Sequence, residues 1–589
     1  MTVAVAADSG IHSHARLNER GRLGHWLIFG FVAFAVLAPV GFLILGSFST
    51  AKLPTEFDFA KLTLDNYREV WLGSGIYKVF LDTFIYVFGA TAVGICIAAI
   101  LAWLAERTNI PGKVWIYAGV PLTLAMPGML QAMAYVLLLS PRIGFLNKAI
   151  EPLGIGPINI YSLGGMIFIE GIRLVPTAFL MLVPLLRSMD PMLEDAAAMS
   201  GANPRATLRK VTFRLMLPGL LAVLIYQTMT ALEVFEVPGI LGLPADIYVF
   251  STKIYSILHS VSVIPSYGQA NALAMVYLVI AVVTTWLYAR VISHSERYTI
   301  ITGKGYRPRM LDLGHWRWAA WALILSFMMF SVILPFLVLL FVSFLPYLQA
   351  PSAEAFRSMS FEHYYDLFTE PSIGRVVRNT LYMVVMTSTL TVILSFAISL
   401  VVVRSKFWGR RILDQMAFMP HAIPGIVMGL AFLWLFLQGA KLGIDIHGGV
   451  LAISLAFTVG FVAYGTRAMN AAILQVHKDL EEAAYVSGAP PWRAVWRIFY
   501  PLMLPSFAGV WIWSMLHAVR QAGKPLMLYE SEENEVLAIL VWNMWDEGKI
   551  EQVGAVGTML ILVLLLMTLI VRLLAFGRSA HIQAAQNPS

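Results

Sequence analysis

Charge is scarce in this sequence. Of its 589 residues only 13% are Asp, Glu, Lys or Arg, against about 25% in soluble domains, and 59% are hydrophobic, so the composition points into a bilayer. Cysteine is nearly absent: Cys96 stands alone, so no internal disulfide can form and the redox compartment is unread. Segments of alternating polarity are missing too. Lipid offers backbone groups no water, so long apolar runs must satisfy themselves as helices. No Gly-rich loop precedes a Lys-Ser or Lys-Thr pair, so nothing here should cradle nucleotide phosphates. The 12 histidines are scattered without metal-ligand spacing.

What is present is a series of apolar runs. A span needs about 20 apolar residues, and that length predicts an all-α polytopic membrane protein of about twelve transmembrane helices. Six lie near 26–47, 79–104, 115–140, 160–187, 215–237 and 267–291, and six near 318–344, 379–403, 414–438, 449–474, 503–526 and 554–575. The first run exceeds a signal-peptide core and follows a polar leader, so it is expected to be retained.

Every second loop is basic. Arg16, Arg20 and Arg22 precede the first run, Arg107 and Lys113 follow the second, and Arg205, Arg209, Lys210 and Arg214 follow the fourth. Arg297, Lys304, Arg307 and Arg309 lie in mid-chain, and Arg404, Lys406, Arg410 and Arg411 follow the eighth. The opposite loops are mixed or acidic, as in Glu530, Glu532, Glu533, Glu535, Asp546, Glu547 and Glu551. The positive-inside rule then puts both termini in the cytoplasm and 345–375 and 527–551 outside. The net charge of +7 is explained by this topology and calls for no nucleic acid.

The chain repeats itself. Glu194-Asp195-Ala196-Ala197-Ala198-Met199-Ser200-Gly201-Ala202 matches Glu481-Glu482-Ala483-Ala484-Tyr485-Val486-Ser487-Gly488-Ala489 at an offset of 481 − 194 = 287. The register persists through Pro204/Pro491, Pro218/Pro505 and Pro238/Pro525. Upstream, Ala125-Met126-Pro127-Gly128 matches Ala422-Ile423-Pro424-Gly425 at 425 − 128 = 297, and Leu64-Asp65-Asn66-Tyr67 corresponds to Phe361-Glu362-His363-Tyr364. An insertion between about 141 and 158 accounts for the difference. The predicted organisation is a cytoplasmic tail 1–25, a transmembrane domain 26–292, a cytoplasmic connector 293–316, a second transmembrane domain 317–576 and a tail 577–589. Even span counts make the two six-helix repeats parallel and pseudo-symmetric about the membrane normal.

Segments 188–214 and 476–501 are too polar for lipid yet helical in pattern. Asp190-Pro191 and Asp479 read as helix starts, Gly201 and Gly488 as left-handed stops, and Pro204 and Pro491 as restarts. A helix lying on lipid needs two faces but no fixed Ala-Ala or Gly; a helix docking into a protein cleft needs small residues for close approach.

This pattern, Glu-acidic-Ala-Ala, three residues, Gly and a distant Leu-Pro, closely resembles the EAA loop of type I ABC importer permeases, present twice. The resemblance covers nearly the whole chain outside the termini and connector. It implies a fused two-unit permease of the bacterial inner membrane, with a translocation pathway and two loops coupling to cytoplasmic ATPases. Glu194 and Glu481 would face basic ATPase residues, with Ala197, Gly201, Ala484 and Gly488 permitting close approach. Asp195 stands where the second copy has Glu482, so the two docking sites need not be equivalent. The implied partners are two copies of an ATP-binding subunit, which uses the ATP, an extracytoplasmic solute-binding protein and lipid; the chain itself would be no enzyme and bind no cofactor. Pro238-Gly239-Ile240-Leu241-Gly242-Leu243-Pro244 and Ile247-Tyr248 resemble the ferric-iron group, while related permeases handle 2-aminoethylphosphonate, thiamine or small organic anions.

A secondary transporter of two parallel halves is the rival class. It would draw on ionisable residues in the bundle, for which Glu170, Arg173, Glu233, Glu236, Arg520 and Lys524 are candidates, but it has no need of two protruding Glu-Ala-Ala loops. His421 reads as a satisfied interface residue. Pro127, Pro176, Pro218, Pro424 and Pro505 read as tolerated bends in packed helices, or else as flexure points. Glu233 and Glu236 are three apart and would share a helix face; the repeat offset sets Arg520 at the counterpart of Glu233 and Lys524 one beyond that of Glu236. These four either lie at headgroup level or form a charged cluster near the outer end of the pathway, where the carboxylates would be hard donors of the kind ferric iron prefers.

Overall fold

The computed structural model describes residues 4–73, 75–154, 156–187, 196–197, 199–259, 265–295 and 310–586. Among these the secondary structure is helical, with two isolated β-bridges and no named strand. Among the described residues ten helices are long and apolar enough to cross a membrane, rising to 12 when each of two bent pairs counts as one span.

Those bent pairs correct two predicted spans. The runs at 115–140 and 414–438 are each broken, Lys113–Ala125 from Gly128–Leu139 by 91° and Arg410–Ala422 from Gly425–Lys441 by 113°. Proline bars the preceding residue from helical conformation. Met126 and Ile423 accordingly hold ψ of 116° and 120°, and Pro127 and Pro424 serve as extended N-caps. These prolines make corners, not tolerated bends.

A second correction concerns the runs at 215–237 and 503–526. The helix Phe213–Glu233 ends before Val234, and a new one runs Glu236–Leu241; likewise Tyr500–Arg520 ends before Gln521 and Gly523–Leu528 follows. Pro238 and Pro525 explain both breaks, since a proline ring clashes with the carbonyl four residues back, here Val234 and Gln521. Glu233 and Glu236 therefore do not share one helix face, and Arg520 and Lys524 lie on different helices.

Contact clustering divides the chain into two compact units that cut across the sequence repeat. One holds residues 1–70, 257–279 and 376–536. In it the helix Ala4–Ser47, whose apolar span is Leu23–Ser47, packs on Gly425–Lys441 and Arg410–Phe418. Gly46 allows this: a Cβ there would meet the Trp434 indole at 2.8 Å. The other unit holds 71–256, 280–375 and 537–589. In it Leu334–Ser343 packs on Gly128–Leu139 and on Ile550–Gln586, where Gly554 lies against the Leu339 carbonyl. The first helix of each half thus joins helices of the other half.

Within each unit the repeat is kept down to small side chains. In the second-named unit Ile76–Arg107 packs along Leu163–Arg187 through Ala90, Thr91, Gly94, Ala98 and Ala102, all fully buried or nearly so. At the offset of 297 the first-named unit has Thr387, Ser388, Thr391, Ser395 and Ser399, each 0% exposed. Small residues let membrane helices approach closely and the hydroxyls can bridge them: Thr387 Oγ1 donates to the Ser454 carbonyl at 3.4 Å and Ser399 Oγ to Thr466 at 3.3 Å. The same kinship holds where each half begins, in Ser47 Oγ with the Tyr67 hydroxyl at 2.7 Å and Ser343 Oγ with Tyr364 at 2.8 Å.

Candidate functional site

The two polar loops share one backbone design. In the second copy a helix runs Lys478–Val486. Its start is one residue earlier than the predicted Asp479 cap: Asp479 lies in the first turn, and its N–H donates to His477 Nδ1 at 3.4 Å, so His477 is the capping group. Gly488 then takes φ +76°, and the Ala489 N–H donates back to the Ala484 carbonyl at 2.9 Å. In the first copy Gly201 takes φ +81° and Ala202 donates to Ala197 at 3.0 Å. This six-to-one bond with a left-handed residue is the Schellman stop, which explains the glycine. A Cβ at either glycine would meet nothing within 4 Å, so both turns stand clear. Asp190, Pro191, Glu194 and Asp195 lie outside the described residues.

The following helices, Pro204–Thr207 and Pro491–Ala494, each pass into a π-turn, Leu208–Thr212 and Val495–Phe499, at the same offset of 287. Met199 and Val486, also equivalent, are each 90% exposed. Each loop thus presents a bare apolar side chain beside its glycine turn. Ala197 and Ala484 are half-buried in both copies.

Glu481 is not left to face outward alone. Arg404, the last residue of Pro371–Arg404, approaches it at 3.7 Å. The same guanidinium donates to the carbonyls of Ile473, at 2.9 Å, and Val476, which end the helix before the loop. Carbonyls at a helix end lack the usual intrahelical partner; Ile473 also accepts the Val476 N–H at 3.2 Å, and Arg404 caps the helix and steadies the loop at once. Arg107, its counterpart at 297, donates to the Leu186 carbonyl at 3.2 Å. Both arginines belong to basic loops, which alone do not reveal this role. Their common place in the repeat was the available signal.

The ionisable residues of the spans form a group within each unit. In one, Arg173 approaches Glu170 at 3.4 Å, and Glu236 is an electrostatic neighbour of both. Glu170 is 0% and Glu236 7% exposed. Arg173 is ten residues, about 15 Å, into Leu163–Arg187, and hence near the middle of that apolar helix. In the other, Lys524 is 3% exposed. Its ammonium lies 5.0 Å from the Phe457 ring centroid, 5.6 Å from that of Phe461 and 3.3 Å from Gln521 Oε1, with His421 also close enough to feel its charge. Lys524 and Glu236 are therefore interior residues of the protein. Glu233 and Arg520 end their helices half-buried. Among the described residues no group of His, Cys, Asp or Glu is arranged to hold a metal ion.

Comparison with known proteins agrees with the repeat. The family of binding-protein-dependent transport system inner membrane components matches residues 94–295 and again 390–578. The chain belongs to this family, in two fused copies. A ferric transport system permease protein FbpB of Actinobacillus pleuropneumoniae is 23% identical over 497 residues, 83% of this chain and 69% of that protein. One from Haemophilus influenzae, described as a putative ferric transport system permease protein FbpB 1, is 24% identical over 464 residues, 77% and 70% of the two chains. Among solved structures, a bacterial ABC transporter for the acidic polysaccharide alginate aligns with 44% of this chain and 96% of its own at 16% identity, with a TM-score of 0.36. The protein is a multi-pass permease subunit of a binding-protein-dependent ABC importer.

Proposed function

We propose that this permease moves its cargo inward at the expense of ATP hydrolysed by separate cytoplasmic subunits, two copies engaging the two loops at 188–214 and 476–501. The observation that carries this is the pair of matching stops, each a left-handed glycine with open space around it and a fully displayed apolar neighbour, Met199 or Val486. An exposed apolar residue on a polar cytoplasmic loop is costly in water and useful in a partner's cleft. Glu194 and Glu481, on this reading, take part in binding the same subunits. On this reading both termini and both loops are cytoplasmic, the membrane is the bacterial inner membrane, and a solute-binding protein delivers cargo from outside.

Ferric iron is the cargo we propose, because the long-matching relatives carry ferric transport in their names and because Pro238–Tyr248 resembles that group. The test is uptake of radiolabelled ferric iron into cells expressing the complete system, with ATP depleted or the proton gradient collapsed. Uptake that stops only on ATP depletion supports the reading. Uptake that follows the proton gradient and ignores ATP refutes it. Cysteines introduced at Met199 and Val486 should each cross-link to the ATPase; two silent positions would refute the docking surfaces.

A further inference from the structure

The two halves place a cation at the same point by opposite means. In one unit Arg173, on Leu163–Arg187, fills the space beside Gly128, where a Cβ would collide with its guanidinium. In the other, the counterpart of Arg173 at offset 287 is Gly460, and the cation is Lys524, on the short helix Gly523–Leu528. The counterpart of Lys524 is Val237, 0% exposed. The Lys524 side chain runs to Gly425, the equivalent of Gly128, with Nζ 3.9 Å from a Cβ built there. It also crosses Gly460: Lys524 Cε and Nζ would each lie 3.2 Å from a Cβ built there. One half therefore pairs Arg173 with Val237 and the other pairs Gly460 with Lys524.

The surroundings have changed in step. Arg173 meets the carboxylates of Glu170 and Glu236, whereas the counterparts of those residues are Phe457 and Gly523, and Lys524 meets ring faces instead. A ring face attracts a cation as a carboxylate does, though less strongly. Gly128 and Gly425 each open a helix just past its proline corner, where unsatisfied N–H groups already carry partial positive charge. A cation there works against the helix dipole and against burial in the bilayer. Packing alone would favour an apolar side chain at such a point. Ionisable residues at membrane depth are kept for function, and here the residue and the wall it comes from have both changed while the charge stays in place.

We infer that a cation held beside the glycine after the proline corner is a required positioning element of each half's transport path, and that Arg173 and Lys524 supply it interchangeably from opposite walls. The inference rests on the chain acting as an ATP-driven permease, and its test separates the two. The complete importer, with its ATPase and binding protein, is reconstituted, and both ATP hydrolysis and radiolabelled ferric iron uptake are followed. Lys524→Met keeps volume and removes charge, and should lower both rates about tenfold or more. Lys524→Val with Gly460→Arg rebuilds the first half's arrangement in the second, and should recover most of the loss because the two changes share one space. Arg173→Gly with Val237→Lys should do the same in the first half, where Arg173→Gly alone fails. Normal rates in Lys524→Met, or a correctly inserted double variant no better than Lys524→Met, would overturn the inference. If the wild type hydrolyses ATP but carries no iron, the ferric reading alone falls, and the hydrolysis rates still decide the cation's role.

Discussion

Arg404 and Glu481 meet at 3.7 Å, joining the end of one span to the first turn of the loop helix Lys478–Val486. Arg404 also caps the Ile473 and Val476 carbonyls, so its two duties are unequal. Losing it removes the guanidinium donor from both carbonyls; Ile473 keeps its bond from the Val476 N–H, and an acceptor left unsatisfied costs about 1–3 kcal/mol. Losing only the carboxylate's charge removes a partner held at 3.7 Å, beyond hydrogen-bond distance, and leaves the guanidinium on its two carbonyls. Arg404→Ala should therefore lower thermal stability of the purified protein clearly more than Glu481→Gln. The reverse order would show that capping is not what Arg404 does.

Gly201 and Gly488 are needed for backbone conformation, since space is open at both. A β-branched residue at Gly488 must enter a left-handed region that costs L-residues about 1–2 kcal/mol, while asparagine tolerates it. Gly488→Val should speed amide exchange at Ala489 and weaken ATP-driven uptake. Gly488→Asn should change both much less. Gly488→Trp, which adds bulk at the docking surface, should abolish uptake while the protein still inserts.

The fully buried Glu170 forms an ion pair with Arg173, whose side chain is 24% exposed, on one helix. Removing one member of such a pair typically costs about 3–5 kcal/mol because a charge is stranded. Glu170→Gln and Arg173→Gln should each destabilise the protein in detergent, and the double variant should lose less than the two losses combined. Additive losses would mean the two charges do not support each other.

The proposed orientation is checked with single cysteines in a Cys96→Ala background. Ser531, exposed among the acidic residues after Gly523–Leu528, should label with an impermeant thiol reagent in spheroplasts. Met199, exposed beside the Gly201 turn, should label only after lysis. The opposite pattern would invert the topology.

The sequence carried more of this architecture than of its side-chain geometry. The repeat, the span positions and the glycine stops were legible because each depends on local chemistry: apolar length, a left-handed residue, a fixed offset. The corners at Pro127 and Pro424 were visible only as prolines in apolar runs, and proline in a span serves a mild bend as readily as a right angle. The predicted shared face of Glu233 and Glu236 failed for a related reason, because Pro238 breaks the helix four residues ahead of itself. Arg404 on Glu481, and Lys524 across Gly460, are contacts between separate helices. Periodicity along one helix says nothing of which residue on another will meet it. The equivalence of Arg173 and Lys524 was hidden as well, since an offset compares residues at matching positions and these two do not match.

The exchange of first helices bears on how the chain is made. Leu23–Ser47 packs on Gly425–Lys441, so its neighbour is still unmade when it enters the membrane. At about 5–20 residues per second, that helix waits on the order of 20–75 s in lipid before the segment it packs against leaves the ribosome. Its exposed Phe31, Phe34 and Leu37 suit such a wait, being side chains that lipid solvates well. A cut in the connector would not release two self-sufficient permeases, because each piece would hold the opening helix that the other piece lacks.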